Sequence, residues 1–147
     1  MKLLINKKAR YDYAISKTYQ AGVVLSGAEV KSLRNKSGSL KGSHVKIVGG
    51  EAVLLGAQIS PYKFADNTDY DPKRTRKLLL KKKQIFELVG LAEKKGWSVV
   101  PLSFELTGNK IKLNIGVGKG KKEYEKRAIL KNKAIQRDID RLVKDRL

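Results

Sequence analysis

Two runs of alternating apolar residues face each other across Thr107-Gly108-Asn109. Val100, Leu102, Phe104 and Leu106 lead in, and Ile111, Leu113, Ile115 and Val117 lead out. A period of two places each run on one face of a sheet, whereas a helix would scatter the same side chains around its circumference. The pattern predicts a long antiparallel hairpin with one buried face. A second hairpin is expected where Val45 and Ile47 lead into Gly49-Gly50 and residues 52–55 return, because a Gly-Gly pair suits a tight primed turn. Shorter strand patterns begin at Tyr11, where Tyr11, Tyr13 and Ile15 share a face, and at Val23-Val24-Leu25. Ile85, Leu88, Leu91 and Ala92 recur at helical spacing within residues 81–95, and Gly96 supplies a stop. A short helix is expected from Ser26, with Ser26 as N-cap and Glu29 three residues on, as a capping box requires. Leu78-Leu79-Leu80 fits either a strand or a helix start, and residues 38–42 and 63–72 are expected to be loops. Antiparallel strands with helices, but no strand–helix–strand rhythm, give a mainly β fold: an OB-like antiparallel β-barrel with flanking short helices and a basic C-terminal tail.

Charge bears on function. Lys and Arg number 33 against 14 Asp and Glu, a net +19, which is self-repelling unless a polyanion is met. Counterion release from nucleic-acid phosphates is the simplest driving force for such a chain. The positive charge gathers in a basic arm over residues 2–10 and in Lys73, Arg74, Arg76, Lys77, Lys81, Lys82 and Lys83, with no acid between Asp71 and Glu87. It gathers again over residues 121–147, where Ile135, Ile139, Leu142 and Val143 form a narrow apolar stripe. The 73–83 cluster is expected to be a phosphate-contacting surface. The domain expectation is an RNA-binding barrel over residues 1–120 and a tail over 121–147, disordered or helical depending on its partner. No Cys is present, and the single His, His44, cannot build a multi-histidine metal site or serve a metal cluster. No uncharged stretch approaches the roughly 20 apolar residues of a membrane helix, and no signal peptide is evident. The expectation is a cytoplasmic, non-enzymatic protein without cofactor, small-molecule substrate or membrane partner.

Several constellations invite a sharper chemistry and fail it. Gly116-Val117-Gly118-Lys119-Gly120-Lys121-Lys122 is no P-loop, since Ile115 stands where the first Gly belongs and Lys122 where Ser or Thr should hold magnesium; it is expected to be a flexible exit from the last strand. Asp66, Asp69 and Asp71 lack the spacing, central Gly and terminal Glu of a calcium loop. Trp97 is expected in the core, and Tyr124, among lysines, is suited to stack on an unpaired base or to stand idle.

Four stretches resemble one family. These are Asn6-Lys7-Lys8-Ala9-Arg10-Tyr11-Asp12-Tyr13, Gly27-Ala28-Glu29-Val30-Lys31-Ser32-Leu33-Arg34, Asp71-Pro72-Lys73-Arg74-Thr75-Arg76-Lys77-Leu78-Leu79-Leu80, and Gly118-Lys119-Gly120-Lys121-Lys122-Glu123-Tyr124-Glu125-Lys126-Arg127. Their order, spacing and residue choices resemble the SsrA-binding protein (small protein B, SmpB) family along nearly the whole chain. The resemblance implies an OB-like barrel and a role in trans-translation, the rescue of stalled ribosomes. The body would hold the tRNA-like domain of transfer-messenger RNA (tmRNA), and the tail would enter the empty mRNA channel near the decoding centre. It implies RNA binding by Asn6, Lys7, Lys8, Arg10, Glu29, Lys31, Arg34, Lys73, Arg74, Arg76 and Lys77. For Glu29 an RNA-facing role and helix capping stand side by side. It further implies ribosome contact by Lys119, Lys121, Lys122, Tyr124, Glu125, Lys126, Arg127, Leu142 and Val143. Glu125 replaces the commoner Asp, and Ala28 stands where larger residues are frequent.

Overall fold

The computed structural model describes residues 1–121 and 123–146, with side chains described throughout except at 123–125, 129 and 143–146. The chain runs β1 (Lys2–Ile5), α1 (Lys7–Asp12), β2 (Tyr13–Val23), α2 (Gly27–Arg34), β3 (Gly38–Ser39), β4 (His44–Val48), β5 (Glu51–Leu55), β6 (Gln58–Ile59), β7 (Arg76–Leu79), α3 (Lys82–Ala92), β8 (Trp97–Thr107), β9 (Lys110–Gly120) and α4 (Glu123–Arg146). Seven strands form one antiparallel sheet in the order β1-β8-β9-β2-β7-β5-β4, and β3 pairs with β6 separately. The sheet curls so that β4 comes against β8 without a ladder between them. The result is an OB-like barrel, open along one seam, with helices on its outside.

Both hairpins lie where the sequence pattern puts them. Val100 opposes Gly116 and Leu106 opposes Ile111 across the β8–β9 ladder. Phe104, Leu113, Ile115 and Val117 are fully enclosed in the core. In the β4–β5 turn Gly49 and Gly50 both have positive φ, 59° and 78°, the geometry of a primed turn that follows the strand twist. Leu78 is buried opposite Ala52 and Val23, which settles residues 76–79 as a strand.

Besides the short strand β3, which falls in the stretch 38–42 expected to be a loop, three expectations require correction. The basic arm over residues 2–10 is built into the body: β1 pairs with β8, and the Asn6 amide N–H donates to the Leu102 carbonyl at 2.8 Å. Residues 7–12 form a helix rather than the start of a strand. Asn6 gives that helix no side-chain cap and donates instead to the Pro101 carbonyl at 2.9 Å, so the usual start signal is missing. Finally, the stretch over residues 116–120 is no loose exit but the end of β9, paired on both sides. Its glycines serve close packing. A Cβ on Gly116 would lie 2.9 Å from Ile15 Cγ2, and one on Gly118 would lie 2.6 Å from the Ala14 carbonyl oxygen. Both face a strand that is bulged between Ile15 and Lys17, where Ser16 is the extra residue.

Candidate nucleic-acid interface

The site is built around α2. Ser26 Oγ accepts the Glu29 amide N–H at 3.2 Å, and the Glu29 carboxylate accepts the Ser26 amide N–H at 3.0 Å, closing the expected capping box. That box uses only part of the carboxylate. Arg76 donates its Nε to Glu29 Oε2 at 2.8 Å and places Nη2 2.6 Å from the same oxygen. Arg74 donates Nε to Oε2 at 3.2 Å and its Nη2 to Oε1. Arg76 spends its remaining donors on the carbonyls of Ala57, Arg74 and Pro72, at 2.8, 3.1 and 3.0 Å. The Tyr70 hydroxyl donates to the Ile59 carbonyl at 2.8 Å and stands 3.2 Å from Glu29.

Glu29 is 1% exposed and Arg76 0%. A charge in that position is tolerated only with a partner and satisfied hydrogen bonds, and both conditions hold here. Burial alone would raise the Glu29 carboxyl pKa, but Arg74, the Ser26 amide and Arg76 together outweigh it and hold the group down at about 2. The Tyr70 hydroxyl is pushed up by burial and by the nearby Glu29 charge. The hub fastens α2, the loop before β7 and β7 itself into one unit.

This geometry divides the predicted RNA-binding residues. Glu29 and Arg76 are enclosed and present no surface of their own; they hold α2 and β7 together. Asn6 is likewise buried, spent on Pro101. Around the hub, Lys31 and Arg34 of α2 and Lys73 and Lys77 are exposed, and Arg74 is partly so. Lys77 leans on Glu51 at 3.2 Å, both groups well exposed, a pairing that holds little in water. Lys7, Lys8 and Arg10 are exposed on α1, a separate patch.

That second patch adjoins the tail. The Lys121 amide N–H donates to the Asp12 carbonyl at 2.7 Å, and its Nζ to the Arg10 carbonyl at 2.8 Å. Lys126 lies 3.3 Å from the Asp12 carboxylate and 5.9 Å above the Tyr11 ring. Lys119 and Arg127 are exposed. Leu130, Ile135, Ile139 and Leu142 leave the apolar stripe of α4 about half in water. Lys122 lies outside the described residues, as do the side chains of Tyr124, Glu125 and Val143.

The rejected constellations have ordinary places. Asp66 accepts from the Thr68 amide and hydroxyl at 3.0 and 2.6 Å, a local turn. His44 is exposed on β4, and Trp97 packs on the core beneath the Lys94 ammonium. Among the described residues no group of three or more His, Asp or Glu side chains is placed to hold a metal, and no helix is long and apolar enough to cross a membrane. Sequence reading missed Tyr70, which completes the hub, and the ring pair Tyr62 and Phe64 beside it. The only signal was two aromatics flanking Lys63 in a loop otherwise read as polar.

Comparisons with known proteins point to one family. A family model described as SmpB protein matches residues 3–145. An SsrA-binding protein of Listeria welshimeri is 50% identical over 141 residues, covering 96% of this chain and 92% of that one. The SsrA-binding protein of Bacillus pumilus is 48% identical over 141 residues, covering 96% and 90%. A solved structure described as "tmRNA-SmpB: a journey to the center of the bacterial ribosome" superposes with a TM-score of 0.70 at 40% identity, over 84% of this chain and 87% of that one.

Proposed function

The chain belongs to the SmpB protein family, and from that premise we propose that it is an RNA-binding adaptor of ribosome rescue. It binds the tRNA-like domain of tmRNA and delivers it to stalled ribosomes for trans-translation. The observation that carries this reading is that the family match runs through body and tail alike, up to residue 145, while the solved relative is itself described as a tmRNA partner at the ribosome. The geometry supports a division of labour. The barrel presents two exposed basic patches, one of Lys31, Arg34, Lys73, Arg74 and Lys77 around the Glu29 hub and one of Lys7, Lys8 and Arg10 on α1. Phosphate contacts of this kind position an RNA without reading its sequence. The tail, from Lys119 through Lys121, Lys122, Tyr124, Glu125, Lys126 and Arg127 to Leu142 and Val143, contacts the ribosome at the decoding centre and along the mRNA channel. A helix that leaves its apolar stripe half in water has surface to spend on such a channel. The adaptor carries no chemistry of its own and works in the cytoplasm.

Purifying the full chain from its native cell and sequencing the RNA that accompanies it tests the reading. One dominant structured species with a tRNA-like acceptor end is expected. A mixture in proportion to cellular RNA would overturn it.

A further inference from the structure

Two aromatic rings stand at the surface beside the hub and take no part in its hydrogen bonding. Phe64 is 76% exposed. It meets Tyr62 edge-on, with ring centroids 5.5 Å apart and planes at 69°. The Lys63 ammonium lies 4.8 Å from the Phe64 ring centre, and Lys31 of α2 reaches to 5.5 Å from that of Tyr62. A phenyl ring this exposed gains little from burial, so burial does not explain its position.

The segment that carries the rings is firmly held. The Ser60 carbonyl accepts Ser32 Oγ at 2.7 Å, and the Ser60 amide donates to Ser37 at 3.2 Å. The Tyr62 carbonyl accepts Asn67 Nδ2 at 2.9 Å and the Ala65 amide at 3.0 Å. Downstream, Tyr70 ties the same loop to Ile59 and the Glu29 hub. An exposed ring on an anchored backbone loses little freedom when something stacks on it.

We propose that the Phe64 ring, buttressed edge-on by Tyr62, is a stacking platform for an unpaired base of the bound RNA, with Lys63 and Lys31 taking the phosphates on either side. A base offers a π-face to an aromatic ring whatever its identity, and its backbone offers the anion that a flanking lysine needs. Lys63 and Lys31 set two ammonium groups against the rings, the complement of a polyanion, with Asp66 and Asp69 further along the same loop. The platform depends on the adaptor reading above, since it presumes an RNA held by the body.

Fluorescence anisotropy with the full chain tests the proposal, using labelled tmRNA and a labelled short oligouridylate as probes. Phe64→Leu and Phe64→Ala should weaken oligouridylate binding roughly tenfold or more, the loss of one stacked base, while the slope of affinity against salt stays unchanged. Phe64→Trp should keep the affinity, and its indole emission should be quenched as RNA binds. If Phe64→Leu binds both probes within about twofold of the parent chain, or Phe64→Trp emission is indifferent to saturating RNA, the platform is wrong. A Phe64→Leu defect confined to ribosomal protein contacts, with RNA affinity intact, overturns it equally. Should the unaltered chain fail to bind tmRNA at all, the adaptor reading falls instead.

Discussion

The Glu29 carboxylate is shared between two guanidinium groups and the amide that opens α2. Glu29→Gln keeps the shape and the cap but leaves Arg76 charged and enclosed. Removing one partner of a buried pair costs about 3–5 kcal/mol, so the urea midpoint followed by circular dichroism should fall accordingly. The pH dependence has a definite sign. The folded carboxyl titrates at about 2, below its ordinary 4.5, so its contribution is whole above about pH 5 and fades as pH falls toward 2. The size is on the order of 3 kcal/mol, and the acid limb of a stability–pH curve should shrink in the Gln variant. The capping half of this site was legible, because Ser26 and Glu29 stand three residues apart. The ionic half was not. Arg74 and Arg76 sit 45 and 47 residues beyond Glu29, and within a run of basic residues nothing local tells a buried guanidinium from a solvated one.

Elements with a strong period were read well, and those shaped by tertiary fit were not. The alternation through Phe104 and Leu113 gave β8 and β9, and Gly49-Gly50 gave the β4–β5 turn. The six-residue α1 has no side-chain cap to announce it. The glycines of β9 looked like slack because a sequence does not show the backbone that presses on them. Gly118→Ala would drive a Cβ to 2.6 Å from the Ala14 carbonyl oxygen, so one of the two paired backbones must shift. A loss of about 1–3 kcal/mol is expected from such overpacking, read as a lower midpoint in thermal unfolding. If Gly118→Ala melts with the parent chain, β2 and β9 do not approach as closely as described.

At the scale of the whole molecule, the chain beyond Gly120 is tied to α1 through Lys121 and Lys126. A chain ending at Gly120 retains the hub, both basic patches and the rings. It should bind tmRNA with little change yet fail to tag a reporter translated from a message without a stop codon. Loss of both activities would mean that the two surfaces do not work independently. The order of the sheet has a consequence for how the molecule comes into being. β1 finds its partner only in β8, and β2 lies along β9 for most of its length, so the first strands wait on the last. Contacts this distant along the chain make folding slow and late. A copy interrupted before β9 is made carries a long bare strand edge and no closed core, so unfinished chains are substrates for proteases and chaperones rather than adaptors of reduced strength.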